Sequence, residues 1–209
     1  MHRAFRYNLK LVLSLAADTK ERIDRVESLI RTSTFTDDGY IQVGEEEKAK
    51  AYILNWYQSF NYNTLTIIDP YFKPQDLAII KQLCDINNDL EIRILTHRQK
   101  YQNEDYITSW RSISSGVTNT ISLNFVWYDD NSKDGPLHDR YWICSDDEND
   151  EHQGITLCSI DSLGKKESSI IEVDGGKILS ALLSYSKYVY THVRKMGGRE
   201  LKYDEMELD

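Results

Sequence analysis

The stretch Pro136-Leu137-His138-Asp139-Arg140-Tyr141-Trp142-Ile143 sets a histidine two residues from an arginine on a run that reads as a β-strand. Along an extended chain, residues i and i+2 share a face. His138 and Arg140 are therefore expected side by side, with Asp139 turned the other way. An imidazole beside a guanidinium suits phosphate-ester chemistry. The imidazole serves as nucleophile or proton carrier, and the guanidinium fork grips phosphate oxygens. Three residues alone recur by chance, so the meaning of the stretch comes from its surroundings.

Strands and helices alternate around it. A helix over 45–60 carries Ala49, Ile53, Trp56, Tyr57 and Phe60 at helical spacing, with acids in its first turn. Strands are expected at 64–69, 90–96 and 121–128, separated by helices at 75–86 and 104–115. Further strands follow at 138–144, 154–159 and 168–173, then a helix at 176–195. This alternation predicts an α/β fold, a mixed sheet flanked by helices on both faces. Acidic residues pool in a loop over 145–153 and in the terminal segment Tyr203–Asp209.

An N-terminal long helix is added to that fold. Phe5, Leu9, Val12, Ala16, Thr19, Ile23, Val26 and Ile30 step alternately by four and three residues, a heptad seam. Such a helix either packs on its own domain or docks two chains together as a coiled coil. The expected division is an N-terminal helix over 1–35 and the α/β domain over 36–209. Residues 32–44 form a turn-rich linker with a short strand at 40–43.

Composition bounds the function. The chain has 209 residues, 40% of them hydrophobic and 28% charged, ordinary for a soluble globular protein. Lys and Arg number 25 against 34 Asp and Glu, a net charge of −9. That weighs against a broad nucleic-acid-coating surface but leaves room for a local basic cleft. It also disfavours an anionic membrane as partner. No apolar run of about 18 residues occurs, so no stable membrane insertion is expected. The three cysteines, Cys84, Cys144 and Cys158, form no C-x-x-C pair and no His/Cys cluster. No metal and no cofactor are implied, and a reducing cytoplasm is the expected location.

The motifs and their order resemble the phospholipase D superfamily, whose signature is H-x-K-x4-D followed by G-S-x-N. His138 matches the histidine and Arg140 stands at the lysine position. The family's aspartate falls on Ser145, with Asp146 one residue later. Cys158-Ser159-Ile160-Asp161 is similar to G-S-x-N, keeping Ser159 and replacing asparagine by Asp161. Leu65–Phe72, with its Asp69-Pro70-Tyr71-Phe72, and Leu90–Thr96 look like two early strands of this fold. The resemblance covers roughly residues 45–195. Within the superfamily, Leu137–Tyr141 and Ser159–Lys166 resemble bacterial defence-associated domains of the H-D-R-Y type. The D-P-Y and H-D-R motifs also occur in the C-terminal domain of MIT-domain proteins, which is similar to a membrane-binding module rather than an enzyme.

The resemblance implies a phospholipase-D-like sheet and a metal-independent phosphodiesterase, a nuclease of a bacterial defence protein. In that chemistry His138 attacks phosphorus and a second histidine protonates the leaving oxygen. One motif supplies one histidine, so a homodimer, or a larger protein containing this domain, supplies the other. Arg140 would hold the phosphate, and Ser159 would bond one of its oxygens. Asp161 would face the phosphate where the family has an amide. Lys165 and Lys166 extend a phosphate-binding surface, and Asp69 stands at a turn or on the cleft rim as a substrate contact. His97-Arg98-Gln99-Lys100 forms a small basic patch at a strand end. The alternative is an inactive module that binds nucleic acid, a phospholipid headgroup or a protein.

Overall fold

Proline and glycine punctuate the segment after Asp38 into short elements. The structure, a computed structural model, describes residues 39–60, 62–98, 102–130 and 135–209, without the Asp161 side chain. The expected N-terminal helix lies outside the described residues. Gly39–Asp209 is one compact α/β unit.

The chain runs β1 (Tyr40–Ile41), α1 (Glu46–Gln58), β2 (Thr64–Ile68), α2 (Leu77–Ile86), β3 (Glu91–His97), α3 (Asn103–Ile113) and β4 (Ile121–Tyr128). It continues with β5 (Tyr141–Asp146), β6 (Glu151–Thr156), β7 (Ser168–Ser169), β8 (Ile171–Glu172), α4 (Gly175–Val189), β9 (Lys195–Met196) and β10 (Arg199–Leu208). Single 3-10 turns occupy Pro74–Asp76 and Ile160–Ser162. Eight strands form a mixed sheet in the order β8-β6-β5-β2-β3-β4-β10-β9, and β1 pairs with β7 apart from it. β2, β3 and β4 are parallel, and antiparallel β5 and β10 flank them.

Side-chain alternation builds a core on each face. Leu65, Ile67, Ile92, Ile94, Ile121, Leu123, Trp142 and Cys144 point toward α1, α2 and α3, every one fully buried. Ile68, Leu95, Val126 and Ile143 point the other way, against Ile178, Ala181, Tyr185 and Tyr188 of α4. Burying one such aliphatic side chain contributes roughly 1.5–3 kcal/mol. β2 is buried along its whole length, whereas β3 and β4 alternate at Arg93, Ser122 and Asn124 before turning apolar on both faces at Ile94-Leu95 and Phe125-Val126.

The structure departs from the expected elements in several places. The helix expected at 176–195 ends at Val189, and the strand expected at 168–173 is split into β7 and β8, which pair with β1 and β6. The strand expected at 138–144 begins only at Tyr141, since β2 ends at Ile68, its partner, ahead of Asp69-Pro70. The strand expected at 154–159 is Glu151–Thr156, so Ser159 lies beyond it. The acidic loop at 145–153 is a hairpin in which β5 and β6 pair as far as Asp146 and Glu151. The acidic terminal segment is part of β10, which pairs with β4 from Leu201 to Leu208.

Candidate functional site

Parallel strands β2 and β3 end at one edge of the sheet, where ligand crevices form in α/β folds. β2 delivers Asp69 there and β3 delivers His97, while the approach to β5 crosses the same edge with His138, Asp139 and Arg140. β6 runs out at the same end, toward Ser159.

His138 is exposed and has no hydrogen-bond or ion-pair partner among the described residues. It lines a cleft of about 190 Å³ with Asp139, Tyr141, Ser180, Ser184 and Tyr188. Asp139 is thus on the same cleft, not turned away as strand alternation predicts. Residues 137–140 are irregular because their backbone is held by side chains rather than by a neighbouring strand. The Leu137 N–H donates to His97 Nε2 at 2.8 Å, and the Tyr188 hydroxyl reaches the Pro136 carbonyl at 3.4 Å.

Arg140 does not line that cleft. Its Nε lies 3.3 Å from Asp69 Oδ1, and its guanidinium sits 4.5 Å from the centre of the half-exposed Tyr71 ring. The charges are close but poorly aligned, for neither Arg140 Nε nor Asp69 Oδ2 has a hydrogen-bond partner among the described residues. The Asp69 side chain is only 1% exposed. Its Oδ1 accepts the Tyr71 N–H at 2.8 Å, the local turn that Asp ahead of Pro favours. Burial pushes its carboxyl up to about 6, against the lowering pull of the Tyr71 amide, Arg140 and Lys73. The Asp69 carboxyl is therefore shut off from solvent and faces Arg140. It anchors Arg140 from below.

Of the other expected residues, the described Ser159, Lys165 and Lys166 do not line the His138 cleft. The Ser159 and Ser162 hydroxyls lie 2.7 Å apart at the 3-10 turn. The Asp161 side chain lies outside the described residues. Lys165 and Lys166 are exposed, but they follow Gly164, whose carbonyl accepts the Gly44 N–H beside the start of α1. Gly164 takes a φ of +72°, and a Cβ there would run into Glu46 backbone. Leu163 packs into the core under α1–α3, whereas α4 walls the His138 cleft. The turn that precedes the lysines is thus seated on the α1–α3 side.

The basic patch at 97–100 also divides. His97 is buried, and burial holds its pKa down to about 4, aided by the neighbouring His138. Arg98 pairs with Asp204 at 2.9 Å and lies over Trp127. Gln99 and Lys100 are outside the described residues. His97 escaped sequence reading as a site residue because polar neighbours disguise it. The signal was Ile94-Leu95, apolar on both faces, which places the strand's next residues in the interior.

Among the described residues, no three His, Cys, Asp or Glu side chains gather as metal ligands, and no helix is long and apolar enough to cross a membrane. Cys84, Cys144 and Cys158 are unpaired. No protein-family model matches the chain, and no curated protein matches it significantly.

Proposed function

We propose that this α/β unit has a phospholipase-D-like arrangement and acts as a metal-independent phosphodiesterase, a nuclease of a bacterial defence protein. The observation that carries the reading is His138, exposed at the strand-end edge and without a partner among the described residues, two residues from a cation beside a buried carboxylate. An imidazole without a hydrogen-bond partner keeps its lone pair for phosphorus. Arg140, its guanidinium over the Tyr71 ring and its side chain 26% exposed, supplies positive charge for phosphate oxygens.

In the proposed reaction a His138 nitrogen forms a bond to phosphorus as the bond from phosphorus to the leaving oxygen breaks. That oxygen takes a proton from an acid. Water then cleaves the phosphohistidine and regenerates the imidazole. His97 is poorly suited to be the acid, because burial keeps it unprotonated at neutral pH and its Nε2 already accepts the Leu137 amide. A second copy of the chain, bringing its own histidine to the shared phosphate, answers that need.

Single- and double-stranded DNA, RNA and bis(p-nitrophenyl) phosphate, each offered in excess EDTA, test this reading. Cleavage should persist, and rapid denaturing quench of a phosphorus-labelled substrate should leave label on His138. Light scattering at micromolar protein should give the mass of a dimer. Activity that requires added magnesium or manganese would overturn the mechanism.

A second reading is favoured by two of the contacts. Arg140 is already offset by Asp69, and the Ser159 hydroxyl is engaged by Ser162. Those contacts suit a module that binds a phosphodiester without turning it over. Retention of labelled oligonucleotide with no cleavage, by a chain that stays monomeric, would establish the binding module instead.

A further inference from the structure

We propose that His97 is a positioning residue for His138: its Nε2 holds the Leu137 amide, its ring face seats Gly135, and together these fix the loop that delivers His138. The catalytic part of this proposal rests on the reading of His138 as the reacting histidine.

A buried backbone N–H needs an acceptor. Leu137 is 6% exposed and precedes β5, so no strand partner offers its amide a carbonyl. His97 Nε2 fills that role at 2.8 Å. The flat imidazole also lets the main chain come very near. A Cβ built on Gly135 would fall on the ring itself, meeting its Cε1, Nδ1 and Nε2. Any side chain at 135 would therefore push the loop off its seat. The Tyr188 hydroxyl of α4 sits 3.4 Å from the intervening Pro136 carbonyl and 2.9 Å from Met196 Sδ, flanking the same segment. Three consecutive residues are thus clamped immediately before His138.

The clamp fixes the chemistry of His97. An acceptor Nε2 in a neutral ring leaves the proton on Nδ1. Burial keeps the ring neutral down to about 4. When a proton does arrive, Nε2 becomes a donor facing the Leu137 donor, and the hydrogen bond is lost. The facing titratable group whose charge His97 senses is His138. From β4 its register neighbour is apolar Val126, and from α4 the nearest anchor is the Tyr188 hydroxyl on Pro136. Among the described residues, protonation is thus resisted by burial and by His138, and no carboxylate contributes to the shift.

The test uses the isotope-labelled 209-residue chain. Long-range nitrogen–proton spectra at pH 7 should show His97 protonated on Nδ1, and the Leu137 amide should exchange slowly and shift with an acid midpoint near 4. His97→Leu should speed Leu137 exchange by ~10-fold, the worth of one net hydrogen bond, and lower phosphodiester cleavage by a similar factor. His97→Gln places an amide oxygen near the Nε2 position. It should restore slow exchange and cleavage while removing the acid step. A proton on Nε2 in the native chain, or Leu137 exchange unchanged in His97→Leu, would overturn the proposal. Should His97→Leu fail to fold, the tautomer and the His97→Gln titration still decide it. Faster Leu137 exchange in a chain that never cleaves would sink the phosphodiesterase reading and leave the clamp standing. Cleavage with unaltered Leu137 exchange would do the reverse.

Discussion

His138→Ala should lower phosphodiester cleavage by at least ~10³-fold while leaving stability within about 0.5 kcal/mol of the parent. The two halves of that expectation come from the same observation. An exposed imidazole with no partner among the described residues contributes little to folding, so its removal leaves no buried group unsatisfied. The same freedom suits it to attack phosphorus. Arg140→Ala differs on both counts. It removes the cation next to a buried carboxylate, so it should lose activity and also destabilise the fold at neutral pH. Arg140→Lys keeps the charge but forfeits the guanidinium's contact over the Tyr71 ring, and should fall between the two. Denaturant midpoints measured beside rates on the same preparations separate these effects. A His138→Ala protein that cleaves at the parental rate would remove His138 from the chemistry.

The sheet was legible where both faces of a strand are buried. Ile121–Tyr128 is the strand its sequence reads as, and β2 and β3 lie within a residue or two of expectation, because short β-branched and aliphatic runs with period-two alternation admit few alternatives. β10 was hidden for the opposite reason. Leu201 and Tyr203 join the α4 side of the sheet, whereas Met206 and Leu208 join the α1–α3 side. No single face of β10 is apolar along its length, and intervening acids made it resemble a solvated tail. The site was legible as residues but not as geometry. His138 and Arg140 lie at one sheet edge as their spacing suggests, yet the backbone between them is irregular, so i, i+2 alternation did not set their directions. What sets them is a pair of long-range contacts, from His97 and from Asp69, separated from the motif by about forty and seventy residues in sequence. No local pattern carries that information.

Those same two buried groups should leave opposite marks on stability, and Asp69→Asn should expose one of them. Asp69 ionises near its ordinary 3.8 in the unfolded chain and near 6 in the folded one. Between those values the folded state keeps a proton that the unfolded state has lost, so this group makes stability fall as pH rises from about 4 to about 6. For His97 the ordinary value is 6.5 and the folded value about 4. Between them the unfolded state binds the extra proton, and stability rises with pH over nearly the same window. Each displacement is worth about 3 kcal/mol, at 1.36 kcal/mol per unit. Their slopes therefore nearly cancel in the parent protein. Asparagine at 69 can still accept the Tyr71 amide through its carbonyl but cannot titrate. Relative to the parent, Asp69→Asn should lose about 2 kcal/mol more on acidification from pH 6.5 to 4, because the His97 slope then stands unopposed. His97→Gln should tilt the other way, gaining about the same amount across that window. Urea unfolding at four or five pH values resolves both tilts, since exposed carboxylates common to all three proteins drop out of the differences. Stability profiles that run parallel in parent and variants would mean that neither group is as strongly shifted as its burial implies.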